Sequence, residues 1–540
     1  MLACSHRGRQ LVFFGLVIFL TGCASSQLKH PSSDQTPSVD NKVSSLLDRR
    51  NSLIAPELLH LDLEQLVNKV IDVHPEPFAL ISEQAFKKSI NTVKQSIRYP
   101  LSRSEFYLRI APLVKSLGDV HSFVELPKYL PQHLSQLEGG KNQSIGHMNS
   151  APKLFPLAVL YEQKAIYIAA DLSNKPTIPT GSVLKSVNGA PIEYLIKVMK
   201  ELTVVETETG QRRKIQVDFP WLLAVMGYAK NQYEIGYSWQ GDTHTQVVEG
   251  IVPVKKIDQQ IGQDEDLLIN QSKSHQSFYG FSQLTDKTAL LWFNDFKESP
   301  EKFQQFLQQQ FNFIGNRGTK NIIIDVRYNE GGLSQNIKSL LAHIIDKPVY
   351  WNRHGELNIS RPLKKLHREE TKQRRKVKYQ WGLQWLPLEW TDLLLHQISW
   401  GDDGERIPVE FGQVEALSDL QPFNIAVLVN GYCYSACSSF VGTVKHYQLG
   451  EVIGETAGNF IEVQYAYPMK SQLSHSRMNL TLPTMKLVFN NKQNDRKAVV
   501  LGENKLISPD ISILRSRQQM IEKQDIALTT AILRIESEKD

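Results

Sequence analysis

The sequence predicts an α/β core preceded by a helical N-terminal domain and a small β-rich module, and three observations carry this. From Phe278 onward, short apolar runs such as Thr288 to Phe293 and Ile425 to Val429 alternate with helical spacings such as Phe303 to Ile314. Strands alternating with helices are the signature of an α/β sheet. From Ala55 to Leu117 the apolar residues instead recur at helical intervals, as in Leu63, Leu66, Val67, Val70 and Ile71, then Phe106, Ile110, Leu113 and Leu117. Between about Phe155 and Lys256 the character changes again: stretches such as Ala165 to Ala169 and Ser182 to Val187 are punctuated by Gly and Pro, as in a compact β module.

In chain order, Arg7 and Arg9 precede an apolar stretch from Leu11 to Leu20 that runs into Leu20-Thr-Gly-Cys23. The stretch is too short to span a bilayer and reads as a signal peptide over 1–22, with Cys23 as the lipidation site. Acyl chains contribute about 0.8 kcal/mol per buried methylene, so a multiply acylated Cys23 would anchor the chain without a transmembrane helix. Ala24 after the cysteine, rather than Asp, resembles lipoproteins sent to the outer membrane of a Gram-negative cell, which implies a lipid-anchored protein of the bacterial cell envelope facing the periplasm. Residues 23–50, rich in Ser, Pro, Gln and Asp, read as a flexible tether.

The helical domain is expected over 51–150, the β-rich module over 151–260 and the core over 275–540, with an insertion at about 349–419. That insertion carries a basic run, Arg361 to Lys378, and a Trp-rich stretch, Trp381 to Trp400. It reads as a solvated helix on a lid, or as a surface for anionic lipid.

The formal net charge of +5 falls to +3 once Arg7 and Arg9 leave with the signal, too small a balance for a nucleic-acid role. Cys4 leaves as well, so Cys433 and Cys437 are the cysteines of the folded body. A bridge across four positions at a helix start is geometrically awkward, and two buried thiols are expected. No spacing resembles a metal site, and no cofactor is expected.

Two segments concentrate the chemistry. Val427-Leu-Val-Asn-Gly-Tyr-Cys-Tyr-Ser-Ala-Cys-Ser438 reads as a buried strand, a turn and a helix, with Ser435 at the junction. The first-turn N–H groups of a helix lack intrahelical acceptors and the dipole there favours negative charge, so the Ala436 N–H can face an oxyanion. Asn321-Ile-Ile-Ile-Asp-Val-Arg-Tyr-Asn-Glu-Gly-Gly332 has the same form, and Gly331 and Gly332 let the main chain expose a second donor. Together they outline a serine nucleophile and its oxyanion hole.

These residues, with Leu117-Gly-Asp-Val-His-Ser122, Val452-Ile-Gly-Glu-Thr456, and Glu503 ahead of Ser508-Pro-Asp510, resemble the tail-specific, or C-terminal processing, serine proteases and their tricorn-core relatives. The resemblance covers most of the chain beyond the tether and implies a core of ClpP/crotonase-like ββα units. Ile178 to Gly189 followed by the helical Ile192 to Leu202 looks like part of a PDZ-like module, which binds extended peptides by strand addition.

Processing proteases of this family place a Lys base after Thr-x-Gly, where this chain has Asn459, and an amide cannot take the serine proton. Lys445 and His446 lie about 15 Å further along the Ser435 helix at 1.5 Å per residue. The tricorn-core branch uses His and Glu instead, which match His121 and Glu503. The resemblance therefore implies a membrane-tethered serine endopeptidase acting on peptide bonds of exported proteins or peptides. Ser435 attacks, His121 moves the proton, Glu503 orients the imidazole, and Gly331 or Gly332 with Ala436 holds the oxyanion.

Glu330 and Glu455 also sit in turns near the site and compete for the role of Glu503. Asp325 and Arg327 are expected to support the first turn, His74 to end a helix, and Ser438 to have no catalytic part. The competing reading is a catalytically silent peptide- or lipid-binding protein on the same scaffold; a cysteine hydrolase using Cys433 or Cys437 is disfavoured.

Overall fold

A computed structural model describes residues 53–127, 153–163, 165–251, 278–351, 354–380, 393–417, 422–489, 506–522 and 524–537. Cys23, the tether and Glu503 lie outside the described residues.

The N-terminal part is helical as its periodicity requires. Helix α1 (Pro56–Val73) starts with Pro at its first position and buries Leu59, Leu63, Leu66, Val70 and Val73 along one stripe. Helix α2 (Glu83–Ser96) is capped by Ser82, and α3 (Arg103–Lys115) by a reciprocal Ser102/Glu105 box. Gly118 then turns the chain at φ 82, where a Cβ would strike Leu80. The turn delivers Asp119, Val120 and His121 to the short strand β1 (Phe123–Val124).

The β-rich module comprises β2 (Leu157–Glu162), β3 (Ala165–Asp171), β4 (Val183–Val187), β5 (Ala190–Pro191), helices α4 (Ile192–Leu202) and α5 (Glu208–Val225), β6 (Gln232–Trp239) and β7 (Asp242–Glu249). Its antiparallel sheet runs β2-β3-β4-β6-β7, with β5 on β4. One apolar core unites this module with the N-terminal helices: Phe106 and Ile110 pack in the same cluster as Phe155, Phe219, Ile235 and Leu480.

The core contains β8 (Tyr279–Gln283), β9 (Thr288–Phe293), α6 (Pro300–Arg317), β10 (Asn321–Asp325) and α7 (Ser334–Ala342). After these come β11 (His354–Asn358), α8 (Arg361–Gln380), α9 (Leu393–Trp400), β12 (Arg406–Glu410), β13 (Asn424–Val429), α10 (Ala436–Tyr447), β14 (Glu451–Gly454), β15 (Val463–Gln472), β16 (Asn479–Val488), β17 (Ile511–Ser512), α11 (Arg517–Ile521) and α12 (Ile526–Ser537). The central sheet runs β17-β14-β13-β10-β9-β8, parallel except for β8 at the edge.

Its strands read as continuous apolar runs because both faces are covered. Leu291, Ile324 and Val427 pack on the side of α6, α7 and α10, whereas Leu290, Ile323 and Leu428 pack on α12. Arg327, buried between Asp325 and Asp525 with four contacts of 2.9 to 3.0 Å, ties the end of β10 to the start of α12.

The expected lid is corrected in part. Strands β11 and β12 of the insertion are integral to a second antiparallel sheet, β1-β16-β11-β12 with β15 on β16, which also carries the strand that follows His121. Arg361 and Lys364, at the start of the basic helix α8, both pair with Asp403. The Trp-rich stretch before Leu393 lies outside the described residues. Among the described residues no helix is long and apolar enough to cross a membrane, and no group of His, Cys, Asp and Glu has the arrangement of a metal site.

Candidate active site

Strand β13 is buried between β10 and β14 and ends in the turn that presents Ser435. Ser435 adopts φ 53 and ψ −122, a conformation that costs a side-chain-bearing residue about 1–3 kcal/mol and persists only where its surroundings over-determine it. Those surroundings are explicit. The Ser435 N–H donates to Asn459 Oδ1 at 2.6 Å, the Tyr434 N–H to the Asn329 carbonyl at 3.1 Å, and the Ser439 N–H to the Ser435 carbonyl at 3.0 Å.

Cys433 and Cys437 form a disulfide around the nucleophile, correcting the expectation of two thiols. The sharp turn at Ser435 brings their Cα atoms to 5.4 Å, inside the range a disulfide spans. Ser438 braces the turn by donating to the Cys433 carbonyl at 2.7 Å.

Gly331 and Gly332 meet this turn from the other side. A Cβ on Gly331, at φ 92, would lie 2.9 Å from both Ser435 Cβ and the Ala436 nitrogen, so only glycine allows the approach. Its N–H, however, donates to Asn329 Oδ1 at 2.7 Å, which corrects its placing among the free donors. The N–H groups of Gly332 and Ala436 have no acceptor among the described residues. Gly332 lines a cleft of about 940 Å³ together with Ser435 and His121.

The structure thus places His121 and Ser435, more than 300 positions apart in sequence, on the wall of one cleft. The His121 N–H donates to Asp119 Oδ1 at 3.0 Å, and the other Asp119 oxygen receives His74 Nε2 at 3.0 Å. His74 Nδ1 accepts from the Glu76 N–H at 3.0 Å, which leaves Nε2 as the donor to Asp119. His74 does end α1, as expected, but its further task is to anchor the turn that carries His121. Burial holds the His121 imidazole below its ordinary range, against the opposing influence of Asp119 and the Tyr465 main chain. It is therefore neutral at neutral pH, the form a base requires. His121 Nδ1 is buried and has no hydrogen-bond partner among the described residues.

The two acids that compete with Glu503 have other partners, although Glu330 lines the same cleft as Ser435 and His121. Glu455 accepts from Arg213 Nε at 2.9 Å and from the Gly431 N–H at 3.1 Å, docking α5 on the core. Glu330 accepts from Tyr432 Oη at 2.6 Å and pairs with Lys297 at 3.3 Å, and the charges of Lys214 and Lys297 keep it ionised although burial opposes this. Lys445 pairs with Asp510, away from the nucleophile.

Asn459 is fully buried: its Oδ1 takes the Ser435 N–H and its Nδ2 donates to Glu206 at 3.0 Å. Glu206 carries no sequence signal that points to a site; it stands in an ordinary polar link between two helices.

A serine on a strained turn at a helix start, two free N–H donors beside it and a neutral histidine in the same cleft define a serine peptidase. Residues 287–513, the stretch bearing Gly332, Ala436 and the nucleophile, match the model of peptidase family S41. Among solved structures it is similar to mature CPAF, with a TM-score of 0.59, 15% identity, and coverage of 87% of this chain and 94% of that one. Mature CPAF complexed with lactacystin gives a TM-score of 0.60 at 14% identity, covering 89% and 98%. At such identity the likeness concerns the fold. No curated protein matches the sequence.

Proposed function

We propose that the protein is a membrane-tethered serine endopeptidase that cleaves exported proteins or peptides through an acyl-enzyme. The observation that carries this reading is the shared cleft: Ser435 and His121 face one cavity with Gly332. Ser435 Oγ attacks the peptide carbonyl while His121 takes its proton and returns it to the leaving amine. The Gly332 and Ala436 N–H groups receive the oxyanion, with the α10 dipole behind Ala436. Water, deprotonated by His121, releases the acyl group. Glu503 is the acid we assign to orienting the His121 imidazole.

Anchoring through a diacylated Cys23 in the periplasm is supported by the Cys433–Cys437 disulfide, since such bridges belong to oxidising compartments. The PDZ-like reading of the β module is supported by β7, an edge strand with mostly exposed side chains to which an extended chain end can add.

The test is labelling of the mature chain by a fluorophosphonate serine probe. Labelling lost in Ser435→Ala and strongly slowed in His121→Ala is expected. A folded parent that takes no label would favour the silent binding protein. Anchoring is checked separately by incorporation of radiolabelled palmitate, abolished by Cys23→Ser.

A further inference from the structure

The mechanism above leaves Glu206 unused, although it sits where the three parts of the chain meet. It lies in the link between α4 and α5 and belongs to the β module. Its Oε1 accepts from the Val120 N–H at 3.3 Å, next to His121, and from Asn459 Nδ2 at 3.0 Å. Its Oε2 accepts from the Phe460 N–H at 2.8 Å. Asn459 in turn holds the Ser435 N–H at 2.6 Å. One carboxylate therefore connects the turn of the base to the turn of the nucleophile.

We propose that Glu206 is a positioning residue that sets the register between His121 and Ser435, acting on one side through Val120 and on the other through Asn459. The inference rests on reading these two residues as base and nucleophile. Misplacing reacting groups by about 1 Å costs about 100-fold in rate, so a link of this kind is functional and not merely cohesive.

Three donors converge on the carboxylate, and its ionised form holds them most strongly, because a proton on either oxygen weakens it as an acceptor. Burial pushes Glu206 up to about 7, beyond what the three hydrogen bonds restore, and Asp119 pushes in the same direction. The charged group facing it is Asp119 of the N-terminal turn, beside the Val120 main chain of that turn and the uncharged Asn459 amide and Phe460 main chain of the core. The link is thus strongest in mildly alkaline solution and weakens as pH falls through about 7. His121 titrates lower, below the ordinary histidine range.

The experiment measures the rate of fluorophosphonate labelling from pH 5 to 9 in the mature full chain, with Ser435→Ala as the blank. The variants are Glu206→Gln, Asn459→Ala and their combination, each checked for folding by thermal melting. At pH 8, Glu206→Gln is expected to label about 10- to 100-fold more slowly than the parent. The parent rate should fall through an inflection near 7 that Glu206→Gln lacks, its remaining decline lying below 6.5 with His121. Because both residues belong to one chain of contacts, the double variant should be no slower than the slower single variant.

Should Glu206→Gln fail to fold, Asn459→Ala decides: losing one donor must slow labelling and move the inflection upward. Labelling of Glu206→Gln at the parent rate, an inflection it retains, or losses that multiply in the double variant would overturn the proposal while leaving the serine site intact. A parent that does not label, or a label that survives in Ser435→Ala, would overturn the site reading and this inference with it.

Discussion

Replacing Cys433 and Cys437 together by alanine should lower activity far more than stability. The bridge joins residues four positions apart, and loop-closure entropy for a ring of about five residues amounts to about 2 kcal/mol. Inside that ring Ser435 stands at φ 53, where a residue with a side chain carries about 1–3 kcal/mol of strain. The two magnitudes are similar, so removing the bridge removes a constraint of the size needed to keep the turn strained.

Ser435 can then relax, taking its hydroxyl and the Ala436 N–H out of alignment, and a shift of about 1 Å lowers the rate by about 100-fold. The assay pairs urea unfolding with fluorophosphonate labelling under non-reducing conditions. A stability loss near 2 kcal/mol with a labelling rate down by about two orders of magnitude is expected. A double variant that labels within threefold of the parent would refute the argument, because Asn459 and the neighbouring backbone bonds would then suffice to hold the turn.

Gly331→Ala places a Cβ 2.8 Å from the Tyr434 carbonyl at φ 92; we expect at least about 1 kcal/mol of destabilisation and an abrupt loss of labelling, and a fully active variant would show that the approach of the two turns is not needed. His74→Ala removes one of the two hydrogen-bond donors of the buried Asp119, so about 1–3 kcal/mol should be lost in urea unfolding, together with slower labelling as the His121 turn loosens; unchanged stability would contradict the anchoring role.

The pH dependence has a definite sign. Glu206 binds its proton more tightly in the fold, at about 7 against 4.5, so its contribution to stability is full below the lower value and is lost as pH rises through the upper one. At 1.36 kcal/mol per unit this is up to about 3 kcal/mol. The melting temperature of Glu206→Gln relative to the parent should therefore improve from pH 5 to 8, even as its labelling is slow; a constant difference would refute the assignment.

The sequence by itself determined the parts whose signals are local. Apolar period and turn chemistry reveal the helices before Leu117, the buried parallel strands, and the strand-turn-helix units that place Ser435, Ala436, Gly331 and Gly332. The resemblance of Leu117 to Ser122 to the tricorn-core proteases brought His121 into the same argument. What only the tertiary structure decided is how the donors and charges of those units are shared.

That the Gly331 N–H belongs to Asn329 and not to an oxyanion, that Glu455 belongs to Arg213, and that Asn459 ties Ser435 to Glu206 depends on side chains meeting from distant segments. The disulfide is the instructive case. Four positions of separation say little, because the Cα distance depends on the backbone between them. The positive φ of Ser435, in a turn that Gly331 packs against, accompanies the 5.4 Å Cα separation that the bridge needs. The same holds for β11 and β12, whose place beside β16 follows from long-range pairing that no local pattern encodes.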